Sequence, residues 1–408
     1  MDRSASPGTA PSAEVGDRST PGPLRVLVVG VAWPMETFVA RLITGLANHG
    51  MDLTIMSQGR PPTDWLDRHR LAWMFGPRPL GIRDVGGQVR RNGLRSAVAS
   101  VGSQARRWLD RASSPANPGR ARRFDVIYAP WINTLIEHEG LLGTGTPLVT
   151  SCRGSLVTIA PWSPERRQHR AALPRAFEAA RLVHCVSEAI VLDAVALGLD
   201  PAKARVIRPA VDPAIFTPPP RRPTRDGPIR VIGVGTLDWR KDYEHALLAL
   251  RRALDLGADL RLDLIGDGPD RQHLLYAVDD LGLTDRVRLV GRLSPEDVAR
   301  ALSDADLFLH TSCSEGISNS VLEAMATGLP VVTTEAGGMR EAVRDGVDGI
   351  VVGVRDAPAT ATALHRLATD PELRARMGAS ARDRIVADFR LDHQVSAFSD
   401  LLHEAAGR

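Results

Sequence analysis

The 408-residue sequence predicts an α/β protein of two doubly wound domains facing each other across a cleft. Three observations carry that expectation. Nearly continuous apolar runs alternate with segments of helical periodicity, as in parallel strands covered on both faces by helices. A stiff, polar stretch rich in Pro and Arg, 217–228, interrupts the alternation. Beyond it the same alternation restarts over a similar length.

In chain order, residues 1–23 are rich in Ser, Pro and Gly without an apolar core, so they read as a disordered tail rather than a signal peptide. The first domain spans 24–216, with strands expected at 24–30, 52–56, 124–128, 147–151, 182–186 and 204–207. Its first helix, 36–49, is read from the spacing of Phe38, Leu42, Ile43 and Leu46 and ends at Gly50. The second domain spans 229–380, with strands at 229–234, 260–265, 287–290, 307–310, 331–333 and 350–352. Helices such as 243–256 and 295–303 lie between them. In the segment 381–408 a final helix, 381–406, is expected to pack back on the first domain. Ligands of such sheets bind at the carboxyl ends of the strands, and two facing domains place those ends around one cleft.

Composition narrows the function. Apolar residues form 43% and charged residues 24% of the chain, ordinary for a soluble protein. No apolar run approaches the ~18 residues of a spanning helix. The net charge of +3 implies no polyelectrolyte partner, and aromatic residues, 4% of the chain, do not interleave with the arginines as stacking platforms, which excludes nucleic acid. Cys152, Cys185 and Cys313 are widely spaced within apolar runs and read as reduced core residues of a cytoplasmic protein. Abundant Arg and Ala fit a high-GC bacterium. Between Arg90 and Arg123, nine arginines accompany one acid, Asp110, while Leu94, Val98, Val101, Ala105 and Trp108 recur at helical spacing. This amphipathic basic helix reads first as a solvated face and second as a patch for peripheral membrane contact.

The chemistry concentrates in four clusters. Glu315 and Glu323 stand eight residues apart, one in a loop after an apolar strand, the other in the first turn of a short helix that Gly328 and Pro330 terminate. The tip of such a helix suits a diphosphate, and flanking carboxylates can accept hydrogen bonds from sugar hydroxyls, which points to a nucleotide-sugar site. Ser320-x-x-Glu323 also reads as a capping box. Gly235 to Lys241 forms the second cluster, a strand end followed by the basic pair Arg240-Lys241. Cations there suit the charge that builds on a departing diphosphate. Lys241 and Lys203 are the only lysines in the chain. The turn Gly266-Asp267-Gly268 is expected to line the cleft edge, and the Gly337-Gly338 turn either lets backbone approach a ligand closely or is a plain turn. On the first domain, Glu36 in the first turn of its helix and Arg153-Gly154 at a strand end are candidates for the acceptor side; His138 reads as structural. Asp304-Ala-Asp306 spells D-x-D, but it leads straight into an apolar strand. Asp304 is therefore expected to end a helix and Asp306 to start a strand, with neither metal nor cofactor required.

Together these residues resemble glycosyltransferase family 4, the large retaining family of GT-B fold with two Rossmann-like domains. The matching stretches are Pro34 to Phe38, Val186 to Glu188, Val206 to Phe216, Gly235 to Lys241, Gly266 to Pro269 and Glu315 to Pro330. The resemblance implies a metal-independent hexosyltransferase that moves a sugar from a nucleoside-diphosphate sugar to an acceptor hydroxyl. That acceptor belongs to a polysaccharide, a lipid or a secondary metabolite. Donor binding falls to Gly235, Arg240, Lys241, Glu315, Ser318, Asn319, Ser320 and Glu323. In that scheme Lys241 and Arg240 hold the diphosphate and the amides of Ser318 to Ser320 cap it. Glu323 binds the ribose, and Glu315 meets the transferred sugar. The base lies near Arg288 and Leu289. Glu315, Lys241 and Arg240 form the catalytic group; Glu36 and Arg153 face the acceptor. The chain departs from the family pattern at Thr236, where an arginine is usual, at Ser318, where many members have glycine, and at Arg153, where many have histidine. Two alternatives remain: a sugar-nucleotide epimerase of the same fold, and a non-catalytic nucleotide-sugar-binding protein.

Overall fold

The computed structural model describes residues 22–57, 59–75, 124–220 and 227–408. The first sheet comprises β1 (Arg25–Val28), β2 (Asp52–Ser57), β3 (Ala72–Phe75), β4 (Val126–Ala129), β5 (Leu148–Cys152), β6 (Leu182–Cys185) and β7 (Ala204–Val206). Its order is β3-β2-β1-β4-β5-β6-β7. The second comprises β8 (Ile229–Val234), β9 (Leu260–Ile265), β10 (Val287–Gly291), β11 (Leu307–His310), β12 (Val331–Thr334) and β13 (Gly349–Val352), ordered β10-β9-β8-β11-β12-β13. All strand pairings are parallel. β4, β5, β6, β11 and β12 are buried along their whole length, because helices cover both faces of each sheet.

Strand order reverses between β1 and β4 and again between β8 and β11. At such a switch point the loops leaving neighbouring strands diverge and open a crevice. β8 and β11 lead respectively into the Gly235–Lys241 and Thr311–Ser318 segments, so the topology brings two sequence-distant clusters to one crevice.

Three elements differ from the sequence expectation. β3 is an additional edge strand, paired to β2 and pinned where Trp73 Nε1 donates to Ser57 Oγ at 3.0 Å. The helix Thr37–Asn48 starts one residue later, leaving Glu36 as its cap rather than in its first turn. The expected final helix is two helices, Pro371–Asp388 and Leu391–Ala406, broken at Phe389-Arg390. The break is where the chain crosses between domains. Val211 N donates to Phe389 O (3.0 Å) and Leu391 N to Val211 O (3.2 Å), so two crossing segments form the hinge. Phe389 is buried in the second domain, with Phe216 and Ile385. Phe398, Leu401 and Leu402 of the last helix join the core of the first, with Leu42, Leu46 and Tyr128.

The basic stretch between Arg90 and Arg123, the N-terminal tail to residue 21 and linker residues 221–226 lie outside the described residues. Among the described residues no helix is long and apolar enough to cross a membrane.

Candidate functional site

A cavity of about 610 Å³ lies between the domains. Its second-domain wall carries Gly235, Lys241, Glu315, Ser318, Asn319, Ser320 and Glu323, so seven of the expected donor residues share one surface. Its first-domain wall carries Phe38, Arg41, Trp131 and Arg153.

The Glu315 carboxylate is the electrostatic centre of the second-domain wall. Oε1 pairs with Lys241 Nζ, accepts from Ser312 Oγ at 2.8 Å and lies 3.2 Å from His310 Nε2. Burial opposes its charge, but Lys241 and then His310 outweigh burial and hold the carboxyl far below its usual range. Burial in turn pushes His310 down, with Glu315 pulling the other way. A neutral His310 with its proton on Nε2 satisfies the set, donating to Glu315 while Thr333 Oγ1 lies 3.1 Å from Nδ1. Lys241 is positioned from its backbone: Thr311 Oγ1 donates to the carbonyls of Lys241 and Asp242, both at 3.0 Å, and Cys313 N donates to Arg240 O at 2.8 Å.

The two glycine turns serve this wall rather than a ligand. A Cβ on Gly266 would sit 1.8 Å from Gly235 O, and one on Gly268 2.3 Å from Leu237 O. A Cβ on Gly337 would sit 1.9 Å from Glu315 O. Neither turn lines the cavity. Their lack of side chains lets the neighbouring loops seat against the Gly235 and Glu315 segments, so the Gly266–Gly268 turn stands behind the cleft edge rather than on it, and packing accounts for Gly337-Gly338.

The helix Asn319–Ala326 has Ser318 as its N-cap without a side-chain cap bond. Ser320 is thus the second helical residue and Glu323 lies in the second turn, so the expected capping box is absent. Ser318 Oγ meets Ser320 Oγ at 3.1 Å instead. Among the described residues the amides of Ser318, Asn319 and Ser320 donate to no backbone acceptor, and a helix tip of this kind collects positive potential. Glu323 meets a residue that the sequence reading missed: Arg41, on the first-domain helix, lies 3.6 Å away across the cleft. Burial pushes the Glu323 carboxyl up to about 7, against the pull of Arg41.

Arg240 is a correction. Its guanidinium makes a fork with Asp238, Nε to Oδ1 at 3.1 Å and Nη2 to Oδ2 at 2.6 Å, and it does not line the cavity. Asp238 is two residues upstream in the same turn, so a local partner captures the cation. Glu36 is a second correction: it is exposed and off the cavity wall, while Thr37, Phe38 and Arg41 of its helix are on it. Arg288, expected near the base, forks onto Asp263 and also lies off the wall. In the D-x-D segment, Asp304 ends the helix Pro295–Asp304, and Asp306 accepts from Arg230 N at 2.8 Å. His138 is pushed down by burial and does not reach the cavity.

Arg153 is held on the opposite wall by a network that the sequence does not reveal. The guanidinium lies 5.0 Å from the Phe38 ring and 5.8 Å from the Trp131 ring. Nε donates to Pro130 O at 3.2 Å and Nη2 to Tyr128 Oη at 3.0 Å. Tyr128 then donates to Ser151 Oγ (3.0 Å), Ser151 to His184 Nδ1 (2.8 Å), and His184 Nε2 to Ile207 O (2.8 Å). Burial first and the Arg153 charge second push His184 down to about 3, keeping it neutral as this chain of donors requires. Phe398 of the last helix packs on both Tyr128 and His184 at ring separations of 5.8 and 4.5 Å.

Residues 35–215 match the family model described as Glycosyltransferase Family 4, and residues 219–384 match Glycosyl transferases group 1. The chain belongs to the family 4 glycosyltransferases. Its fold is GT-B. HepE of Anabaena in complex with UDP-glucose superposes with a TM-score of 0.71 at 20% identity, covering 93% of this chain and 100% of that one. Among curated relatives, the lipopolysaccharide core biosynthesis glycosyltransferase LpsE of Rhizobium meliloti is 32% identical over 43% of this chain and 50% of its own length. The amylovoran biosynthesis glycosyltransferase AmsK of Erwinia amylovora is 29% identical over 59% and 60%. The chain thus spans half to three fifths of the length of these curated relatives.

Proposed function

We propose that this family 4 protein transfers a hexosyl group from a nucleoside-diphosphate sugar to an acceptor hydroxyl with retention of configuration. One observation carries the reading. Lys241, paired with Glu315, and the free amides of the Asn319–Ala326 tip stand on one wall of an interdomain cavity. A diphosphate seated there meets an ammonium and a helix N-terminus, and the charge that accumulates on it as the glycosidic bond breaks is stabilised by both. Glu315, kept ionised, accepts hydrogen bonds from the hydroxyls of the transferred sugar. Glu323 and Arg41 reorganise to admit the ribose. The HepE complexes with UDP and UDP-glucose support a nucleotide-sugar partner for a cleft of this shape.

On the wall, Glu315 commits Oε1 to Lys241, His310 and Ser312, leaving Oε2 for sugar hydroxyls, and Glu323 faces Arg41, so neither carboxylate is assigned as a covalent nucleophile. The departing diphosphate therefore takes the acceptor proton on the same face, which gives retention. Lys241 and the amides do the work of a cation, so turnover should persist in excess chelator. The acceptor belongs to a polysaccharide, lipid or secondary metabolite, and the protein acts in the cytoplasm, where the basic sequence from Arg90 to Arg123 is the candidate for peripheral membrane contact. The test is release of free nucleoside diphosphate from a panel of donors, with and without acceptor. Release that requires Lys241 and survives chelation supports the proposal. Conversion of the donor into an epimer without acceptor would replace it with the epimerase reading.

A further inference from the structure

The charges lining the cavity do not balance pair by pair. Among its lining residues, Lys241 is matched by Glu315 and Arg41 by Glu323. Arg153 has no carboxylate partner among the described residues. Its guanidinium has five N–H donors; Pro130 O and Tyr128 Oη take two of them. Two aromatic rings flank it, and the relay through Tyr128, Ser151 and His184 fixes its one protein-facing edge.

This construction is unlike the other cations of the site. A solvated arginine loses considerable side-chain freedom when it binds an anion, whereas Arg153 has already been ordered by its surroundings. Rings hold a cation without consuming its hydrogen bonds. A planar fork with free donors matches a carboxylate or a phosphate group in a way that a neutral hydroxyl does not. The proposed diphosphate meets Lys241 and the Asn319–Ala326 tip on the second-domain wall, whereas Arg153 stands on the first-domain wall, so an anion that engages Arg153 is a separate group of the substrate.

We propose that Arg153 reads an anionic substituent, a carboxylate or phosphate group, carried on the substrate opposite Glu315. This deepens the proposed function and rests on it. Two sources share the chemistry: the transferred sugar, as in a uronic acid donor, or the acceptor sugar beside it. The protein therefore works on charged saccharide units rather than on neutral ones.

Isothermal titration of the full chain separates the cases. Nucleoside diphosphate is titrated first; absence of binding would defeat the proposed function itself, whatever Arg153 does. The donor arm then compares a nucleoside-diphosphate glucuronate with the corresponding glucose compound. The acceptor arm compares glucuronate and glucose 6-phosphate with glucose, in the presence of saturating nucleoside diphosphate. An anionic probe should bind roughly tenfold or more tightly than its neutral counterpart in one arm, the size expected for a charge-assisted pair. That margin should vanish in Arg153→Gln and shrink in Arg153→Lys, which keeps the charge but loses the fork. Preference in the donor arm identifies the transferred sugar as the source; preference in the acceptor arm identifies the acceptor. Equal binding of charged and neutral probes by the wild-type protein in both arms overturns the proposal, and so does a preference that Arg153→Gln retains. The wild-type comparison decides even if a variant fails to fold, which circular dichroism and melting temperature would reveal.

Discussion

On the second-domain wall of the cleft the key groups come from short stretches of chain: Glu315 to Glu323 supplies both carboxylates and the helix tip, and Gly235 to Lys241 the cation. On the first-domain wall Arg153 depends on Phe38, Tyr128, Trp131, Ser151, His184 and, from the other end of the chain, Phe398. One wall is assembled by local backbone geometry at strand ends, the other by tertiary packing. The wall proposed to hold the diphosphate is a compact motif, because a strand, a loop and a helix tip suffice for it. The wall proposed to discriminate between substrates is built from side chains that the fold brings together from distant parts of the chain.

The comparison can be broken most severely from the C-terminal helix. Phe398 is fully buried against Tyr128 and His184. Phe398→Ala should cost about 4 kcal/mol of stability, as large-to-small changes in packed cores do, measured by denaturant unfolding. Nucleoside diphosphate affinity in the folded fraction should change far less, because the second-domain wall does not rest on that helix. Next in size, Lys241→Ala should lower turnover roughly 100-fold or more, read as nucleoside diphosphate release, while circular dichroism stays native.

A third test uses pH. The folded pKa of Glu323 is raised to about 7, above the ordinary carboxyl value of 4.5. The native state then binds more protons than the unfolded chain, so the contribution to stability is fully present below about 4.5 and is lost as pH rises through about 7. Glu315 runs the other way: its folded pKa is depressed, so its contribution holds above the ordinary carboxyl value and is lost only in strong acid. Urea unfolding at pH 5 and pH 8 should show Glu323→Gln gaining on the wild type at the higher pH by on the order of 2 kcal/mol. A gain at pH 5 instead would mean that Arg41 dominates the site. The smallest effect is expected at Ser187, whose Oγ caps the helix Glu188–Ala196 by accepting from Ile190 N at 3.2 Å. Ser187→Ala should cost about 1 kcal/mol in thermal unfolding and leave both walls in place.

The same contrast explains what the sequence could convey. The two sheets and most strand limits were legible because buried parallel strands write continuous apolar runs, and β8, β9 and β11 fall where the periodicity places them. That Lys241, Glu315 and the helix tip share one wall was legible because each stands at or just beyond a strand end. The capping box was misread, since Ser318 rather than Ser320 begins the helix. Arg240 was misread because Asp238, two residues away, competes for it, and sequence shows both residues but not the fork. Arg41, Tyr128, Ser151 and His184 left no trace, because nothing in their local spacing marks them as neighbours of the cleft. Arg41 shares a face with Thr37 one turn earlier, and that was the only available hint.

The proposed function stands on Lys241 and the Asn319–Ala326 tip jointly holding a pyrophosphoryl group. Calorimetric titration of the wild type and Lys241→Ala with a nucleoside diphosphate and the matching monophosphate tests it directly. The wild type should favour the diphosphate by roughly tenfold or more, and the margin should collapse in the variant. Equal affinity of the wild type for the two nucleotides, or a margin unchanged without Lys241, would contradict it.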